Sequence, residues 1–144
     1  MAHLTTPKPD LESATVADAM TFGLVSCSPQ SSLRAVARLM ADRRIHAVYV
    51  FDYGDEDDEQ AELWGLVSDL DIAAAAAGTD LDEVTAGTSA VAPLITVESN
   101  DPLGWAAQLM AENSVSHLAV IDWETHRPAG VISTLDIARV VAGR

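Results

Sequence analysis

Apolar positions recur along the chain with two different periods, and their alternation predicts the elements. Leu33, Val36, Ala37 and Met40 lie three and four residues apart in sequence or share that phase, as do Leu103, Ala106, Ala107 and Met110. That spacing puts each set on one face of a helix, which must press against a sheet. Ser31 or Ser32 stands where the first of these helices needs an N-cap. Residues 47–52 (AVYVFD) and 117–122 (HLAVID) are short, β-rich and almost continuously apolar, as buried strands are. A second strand is predicted after each, over residues 63–67 and 129–132. A further helix opens near Ser68 and near Ser133, with Gly78 and Gly143 placed as C-terminal caps. Short strands at residues 24–26 and 94–97 precede the first helix of each unit, and residues 15–20 read as a leading helical turn. The order per unit is β-α-β-β-α, a mixed α/β (α+β) chain.

The two units are copies of each other. Shifting the sequence by 70 residues superposes Leu33 on Leu103, Ala37 on Ala107, Leu39 on Leu109, Met40 on Met110, Ala41 on Ala111, Val50 on Val120 and Asp52 on Asp122, all identities. The match then slips by five residues and resumes, laying GLVSDLDIAAAAAG from Gly65 on GVISTLDIARVVAG from Gly130. Such self-similarity means two copies of one supersecondary unit, each too small to close a core alone. The chain therefore divides into a tail (residues 1–14), a first repeat (15–79) and a second (80–144), and its function is expected between the repeats.

Charge sharpens this picture. Eight Lys and Arg stand against 22 Asp and Glu, a net charge of −14, which opposes the phosphate attraction behind nucleic-acid binding and offers no polybasic membrane patch. Seven of the acids fall within residues 52–62, DYGDEDDEQAE, so half of the net charge sits where the repeats differ in length. An insertion that leaves both flanks in register is what an exposed turn tolerates. The turn lacks the alternating ligands and terminal Glu at fixed offsets of an EF-hand loop, and is read as solvated, with a basic partner as its one functional alternative. Cys27 is the single cysteine, leaving no intrachain disulfide and suiting a reducing, cytoplasmic setting. The N-terminal segment has no apolar core of a signal peptide, and residues 72–77 are too short to span a bilayer.

The chemistry is concentrated in a doubled motif. Gly-x-x-Ser-x-x-Asp occurs as Gly65, Ser68, Asp71 and as Gly130, Ser133, Asp136, each time where a strand gives way to a helix. A helix N-terminus presents free amides and partial positive charge to a phosphate, and a nearby carboxylate can accept from two vicinal hydroxyls. The same residues also form Ser-x-x-Asp capping boxes, in which the serine caps the helix and the acid reaches back. Ligand binding and capping alone both remain open. His3, His46, His117 and His126 form no zinc-hydrolase pattern, and no Ser elbow or Walker loop is present. Catalysis and a metal centre are not expected.

The doubled β-α-β-β-α order with these motifs resembles the CBS domain family, whose tandem pairs form the Bateman module. The likeness runs from about Thr15 to the C-terminus, as in a stand-alone CBS pair. It implies two repeats about a pseudo-twofold axis and a regulatory site for an adenosine-containing ligand, AMP, ADP, ATP or S-adenosylmethionine, in the cleft between them. By that resemblance Ser68 and Ser133 hold phosphate and Asp71 and Asp136 take the ribose. Asp136 would face Ile45, His46 and Ala47, and Asp71 would face Ser116, His117 and Leu118. Backbone near Ala47 would read the base, and His46 stands where the family often carries a basic phosphate contact. Val48 and Ala119 replace a proline common in the family. The acidic chain suits the cationic sulfonium of S-adenosylmethionine and opposes ATP more than AMP. The resemblance also implies a homodimer through helices, with Trp105, Leu109, Ala35 and Leu39 on helix flanks that need cover, and a regulated protein partner. The alternative is a ligand-free scaffold that docks a partner through the helix flank or the acidic turn.

Overall fold

A computed structural model describes residues 11–52, 62–90 and 94–143. The acidic turn, residues 53–61, falls outside the described residues.

Each half contributes a helix, two central strands and a second helix in the predicted order. In the first half these are α2 (Leu33–Arg43), β3 (Ala47–Asp52), β4 (Glu62–Ser68) and α3 (Asp69–Ala76). In the second they are α5 (Leu103–Asn113), β6 (His117–Ile121), β7 (Pro128–Ser133) and α6 (Thr134–Val141). The leading elements are α1 (Val16–Ala19), β1 (Thr21–Phe22) and β2 (Ser26–Cys27) in one half, and α4 (Ala86–Ser89) and β5 (Thr96–Glu98) in the other. The strands expected at residues 24–26 and 94–97 thus start two residues later. Ser32, the second of the two cap candidates, accepts the Ala35 amide at 3.1 Å.

The strands form two sheets, β2-β3-β4 and β1-β7-β6-β5. Parallel pairing of β2 with β3, and of β5 with β6, requires a crossover, which α2 and α5 supply. Val48 and Val50 point to a core with Leu33, Val36 and Met40, while Leu118 and Val120 point to one with Leu103, Ala106 and Met110. The alternate residues, Ala47, Tyr49, Phe51 and Ala119, fill the contact between the two sheets. Ala35 and Trp105 are exposed, whereas Leu39 and Leu109 are half-buried against their own cores.

The leading segments cross over. Val16 and Ala14 belong to the core of the second half, and the Val16 amide donates to Asp101 O at 2.9 Å. Ala86 and Ala90 belong to the core of the first half, and the Ala86 amide donates to Ser31 O at 2.8 Å. Each core is therefore completed by the other half's leading helix. β1 extends the exchange by pairing antiparallel with β7, Thr21 against Val131 and Phe22 against Gly130.

Glycine acts differently at the two expected caps. Gly143 takes φ +77°, the left-handed turn that ends a helix, but Gly78 is not left-handed, and Ala77 before it stays right-handed. Side chains instead take the left-handed position after α2 and α5, at Arg44 (φ +54°) and Ser114 (φ +53°).

Candidate functional site

Both doubled motifs fold as capping boxes. The Ser133 amide donates to Asp136 Oδ2 at 2.8 Å, the Ser133 hydroxyl donates to the same oxygen at 2.9 Å, and the Asp136 amide donates to Ser133 Oγ at 3.2 Å. Ser68 and Asp71 repeat this at 2.8, 3.0 and 3.3 Å. Both bonds that each carboxylate accepts go to Oδ2, so Oδ1 of each aspartate is left to other partners. For Asp136 that partner is Arg139, whose Nη1 lies 3.7 Å from Oδ1. Asp136 is 6% exposed, which makes its carboxylate a preformed acceptor rather than a solvated one.

Capping alone does not account for what lies next to Asp136. A cavity of about 340 Å³ opens there, lined by Ser133 and Asp136 from the second half and by Arg44, Ile45, His46, Ala47 and Tyr49 from the first. His117, Val131 and residues 21–25 complete its wall. Five of the seven residues singled out in the sequence thus meet in one space: Ser133, Asp136, His46, Ala47 and His117. Ser68 and Asp71 do not line it. They hold the pseudo-equivalent position at the start of α3.

Local hydrogen bonds fix the histidines. His46 Nδ1 lies 2.9 Å from Asp69 Oδ2, with both side chains exposed. His117 Nδ1 lies 2.8 Å from Ser116 Oγ. Burial pushes the His117 imidazole below its ordinary pKa, aided by His46 and opposed by the carboxylates of Asp69, Asp136 and Asp71. The sign of the consequence is fixed: below pH 6.5 the unfolded chain takes up a proton that folded His117 resists, so stability is lost as pH falls toward the depressed value. The urea midpoint is expected to be lower at about pH 5.5 than at about pH 7.5, with a smaller drop in His117→Gln.

Three wall components escaped the sequence reading. The β1 segment reaches the cavity only because β1 joins the other half's sheet. Arg44 ends α2 in a left-handed turn, and its guanidinium has no hydrogen-bond or ion-pair partner among the described residues. Tyr49, at the repeat position of Ala119, reaches across to the second half, where its hydroxyl donates to Gly130 O and accepts from the Val120 amide at 3.2 Å. Burial pushes the Tyr49 pKa up to about 12, so it is a neutral donor at any physiological pH. Only the mismatch of Tyr49 with Ala119 in the repeat could have flagged it.

Cys27 is half-buried, and burial raises its thiol pKa against a smaller lowering from Ser31, the opposite of an activated thiolate. Among the described residues no group of three or more His, Cys, Asp or Glu could hold a metal ion, and no helix is long and apolar enough to cross a membrane.

Two repeated α/β units, exchanging their leading helices around a shared cleft, define a tandem-repeat module. The chain belongs to the CBS domain family, whose profile matches residues 16–78 and 88–143. It is 32% identical over 127 residues to Hypoxic response protein 1 of Mycobacterium tuberculosis, an alignment covering 87% of this chain and 83% of that one. The crystal structure of Hypoxic Response Protein I with two coordinated zinc ions superposes with a TM-score of 0.64 at 30% identity, over 88% of this chain and 98% of that one. The CBS domain pair of protein MJ0100, in complex with 5′-methylthioadenosine and S-adenosyl-L-methionine, gives a TM-score of 0.74 at 22% identity, over 90% of this chain and 97% of that one.

Proposed function

We propose that this CBS pair is a regulatory module that binds an adenosine-containing ligand in the cleft between its repeats and breaks no bond. One observation carries the reading: a cavity of about 340 Å³ gathers Ser133 and Asp136 of one repeat with His46 and Ala47 of the other. That volume is near the lower end of small-molecule sites, about 300–1,000 Å³, which suits a nucleoside or mononucleotide. The adenosyl compounds held by the CBS pair of MJ0100 support the same ligand class.

Asp136 would accept from the ribose hydroxyls through Oδ1, displacing Arg139. Strand-start backbone at Ala47 would read the base beside the apolar Phe22 and Leu24. Ser133 would turn its hydroxyl from Asp136 to a phosphate oxygen, leaving the Ser133 amide on Oδ2. Ser68 and Asp71, with His117, would form the second, pseudo-equivalent site. The ligand acts by favouring one arrangement of the repeats or protomers, which requires different affinity for the two. A homodimer belongs to this proposal, because Leu70, Leu135 and Val141 on α3 and α6, and Trp105 on α5, are exposed apolar side chains. So does a protein partner that reads the change.

The test is thermal unfolding with AMP, ADP, ATP, S-adenosylmethionine or adenosine at about 1 mM. A ligand at about 100 times its dissociation constant adds about 2.7 kcal/mol, or roughly 5–10 °C for a chain of this size. No shift with any of the five moves the reading to a ligand-free scaffold whose aspartates only cap helices.

A further inference from the structure

One wall of the Asp136 cavity is a segment that passes from one sheet to the other. Thr21 and Phe22 pair with β7 in the second half's sheet, whereas Ser26 and Cys27 pair with β3 in the first half's. Residues 23–25 make the crossing, with Gly23 at φ +112°, a conformation that a side chain would strain. The whole strap, residues 21–25, lines the cavity. Both ends of the crossing are pinned. At one end the Gly23 amide donates to Ala129 O at 3.0 Å, and at the other the Tyr49 amide donates to Val25 O at 2.9 Å.

The Tyr49 side chain joins the same two places by a second route. Its amide holds Val25, while its hydroxyl reaches the far sheet, donating to Gly130 O on β7 and accepting from the Val120 amide on β6 at 3.2 Å. Gly130 is also the residue that β1 lies against, paired with Phe22. The strap, β7 and the tyrosine therefore close a ring of contacts along the cavity wall. Tyr49 is 1% exposed and Val120 is fully buried, so solvent cannot take over these bonds if the hydroxyl is lost. The phenol ring stacks on Phe51 with centroids 5.8 Å apart, which limits its freedom to swing away. No reciprocal bond comes from the other repeat at this position, because the residue there is Ala119.

We infer that Tyr49 is the positioning residue of the Asp136 cavity: its hydroxyl sets the separation of β3 from β7, and so holds the strap of residues 21–25 in place before any ligand arrives. Its hydroxyl hydrogen is already committed to Gly130 O, so Tyr49 acts through the wall rather than on the ligand. The distinction has a measurable form. A site that is formed in only a fraction of molecules binds every ligand more weakly by that one fraction. Loss of a direct contact instead changes affinities ligand by ligand.

Tyr49→Phe keeps the ring and removes only the hydroxyl. Hydrogen exchange of the ligand-free protein, read amide by amide, tests the wall without reference to any ligand. The Val120 and Gly23 amides are expected to exchange about tenfold or more faster than in wild type, while those of Met40 on α2 and Met110 on α5 change less than about threefold. Gly23 is decisive, because its amide bonds to Ala129 and not to Tyr49. Calorimetric titration with adenosine, AMP and S-adenosylmethionine, at a temperature where both proteins are fully folded, rests on the adenosine reading above. Every one of the three that wild type binds is expected to weaken by one common factor of about three- to tenfold. An unaltered Gly23 amide, or a uniform rise that includes Met40 and Met110, leaves Tyr49 a packing role only and overturns the inference. Unchanged affinities, or weakening of one ligand among several, overturn it as well. If wild type binds none of the three, the adenosine reading fails, and exchange at Gly23 alone decides whether Tyr49 holds the wall.

Discussion

Gly130→Ala is expected to destabilise the protein by about 2–4 kcal/mol and to abolish binding in the Asp136 cavity. A Cβ on Gly130 would collide with the Thr21 carbonyl oxygen and come within 2.7 Å of Met20 Cε. The first is backbone and cannot rotate away, so β1 has to leave β7. Its departure breaks the pairing of Phe22 with Gly130 and exposes Met20, which is buried in the second core. Thr21, Phe22 and Gly23 form one wall of the cavity, so the site opens as the strand peels off. A fall in melting temperature of roughly 5–15 °C follows at this chain length. Gly78→Ala is the control, because nothing lies within 4 Å of its added methyl and the backbone is not left-handed; its stability should stay the same or rise slightly. Equal melting temperatures for wild type and Gly130→Ala would show that β1 does not need the close approach.

Asp136→Ala is expected to do two separable things. It removes the acceptor of the Ser133 amide and hydroxyl at a residue 6% exposed, costing about 1–2 kcal/mol. It also removes the carboxylate assigned to ribose, so stabilisation by an adenosyl ligand should vanish. Asp136→Asn separates the two effects, because the amide oxygen can still accept from the Ser133 amide while the negative charge is gone. Near-wild-type stability with most of the ligand response lost is the expected outcome, read by thermal unfolding with and without about 1 mM ligand. An undiminished response in both variants would remove Asp136 from the site. In a ligand-free scaffold, the alanine variant loses stability and there is no response to lose.

The serines and aspartates of the doubled motif were legible because a strand-to-helix switch with Ser-x-x-Asp is a local signal, and locally it forms what it encodes, a capping box. Local pattern could not separate a box that only caps from one that also faces a ligand, since the bonds within it are identical at Asp71 and Asp136. The difference lies in what stands opposite. Arg44 carried a weak sequence signal, a basic residue opposite Ser114 in the repeat, and Tyr49 a similar one opposite Ala119. Neither signal says where the side chain points. Gly78 was misread as a left-handed cap because glycine after an alanine-rich helix is compatible with several endings, whereas Arg44 and Ser114 adopt that conformation without glycine.

The sequence by itself determined the two repeats, the central helix-strand-strand-helix order of each, the buried faces of α2 and α5, and the capping chemistry, because all of these depend on residues within a few positions of one another or on the direct comparison of the two repeats. Only the tertiary structure decided that α1 and α4 change places, that β1 joins the far sheet, and that Arg44, His46 and Tyr49 of one repeat share a cavity with Ser133 and Asp136 of the other. Those contacts join residues up to about 110 positions apart, and they are selected by which packing of two incomplete cores buries the most apolar surface, a property of the assembled chain that no short stretch of it encodes.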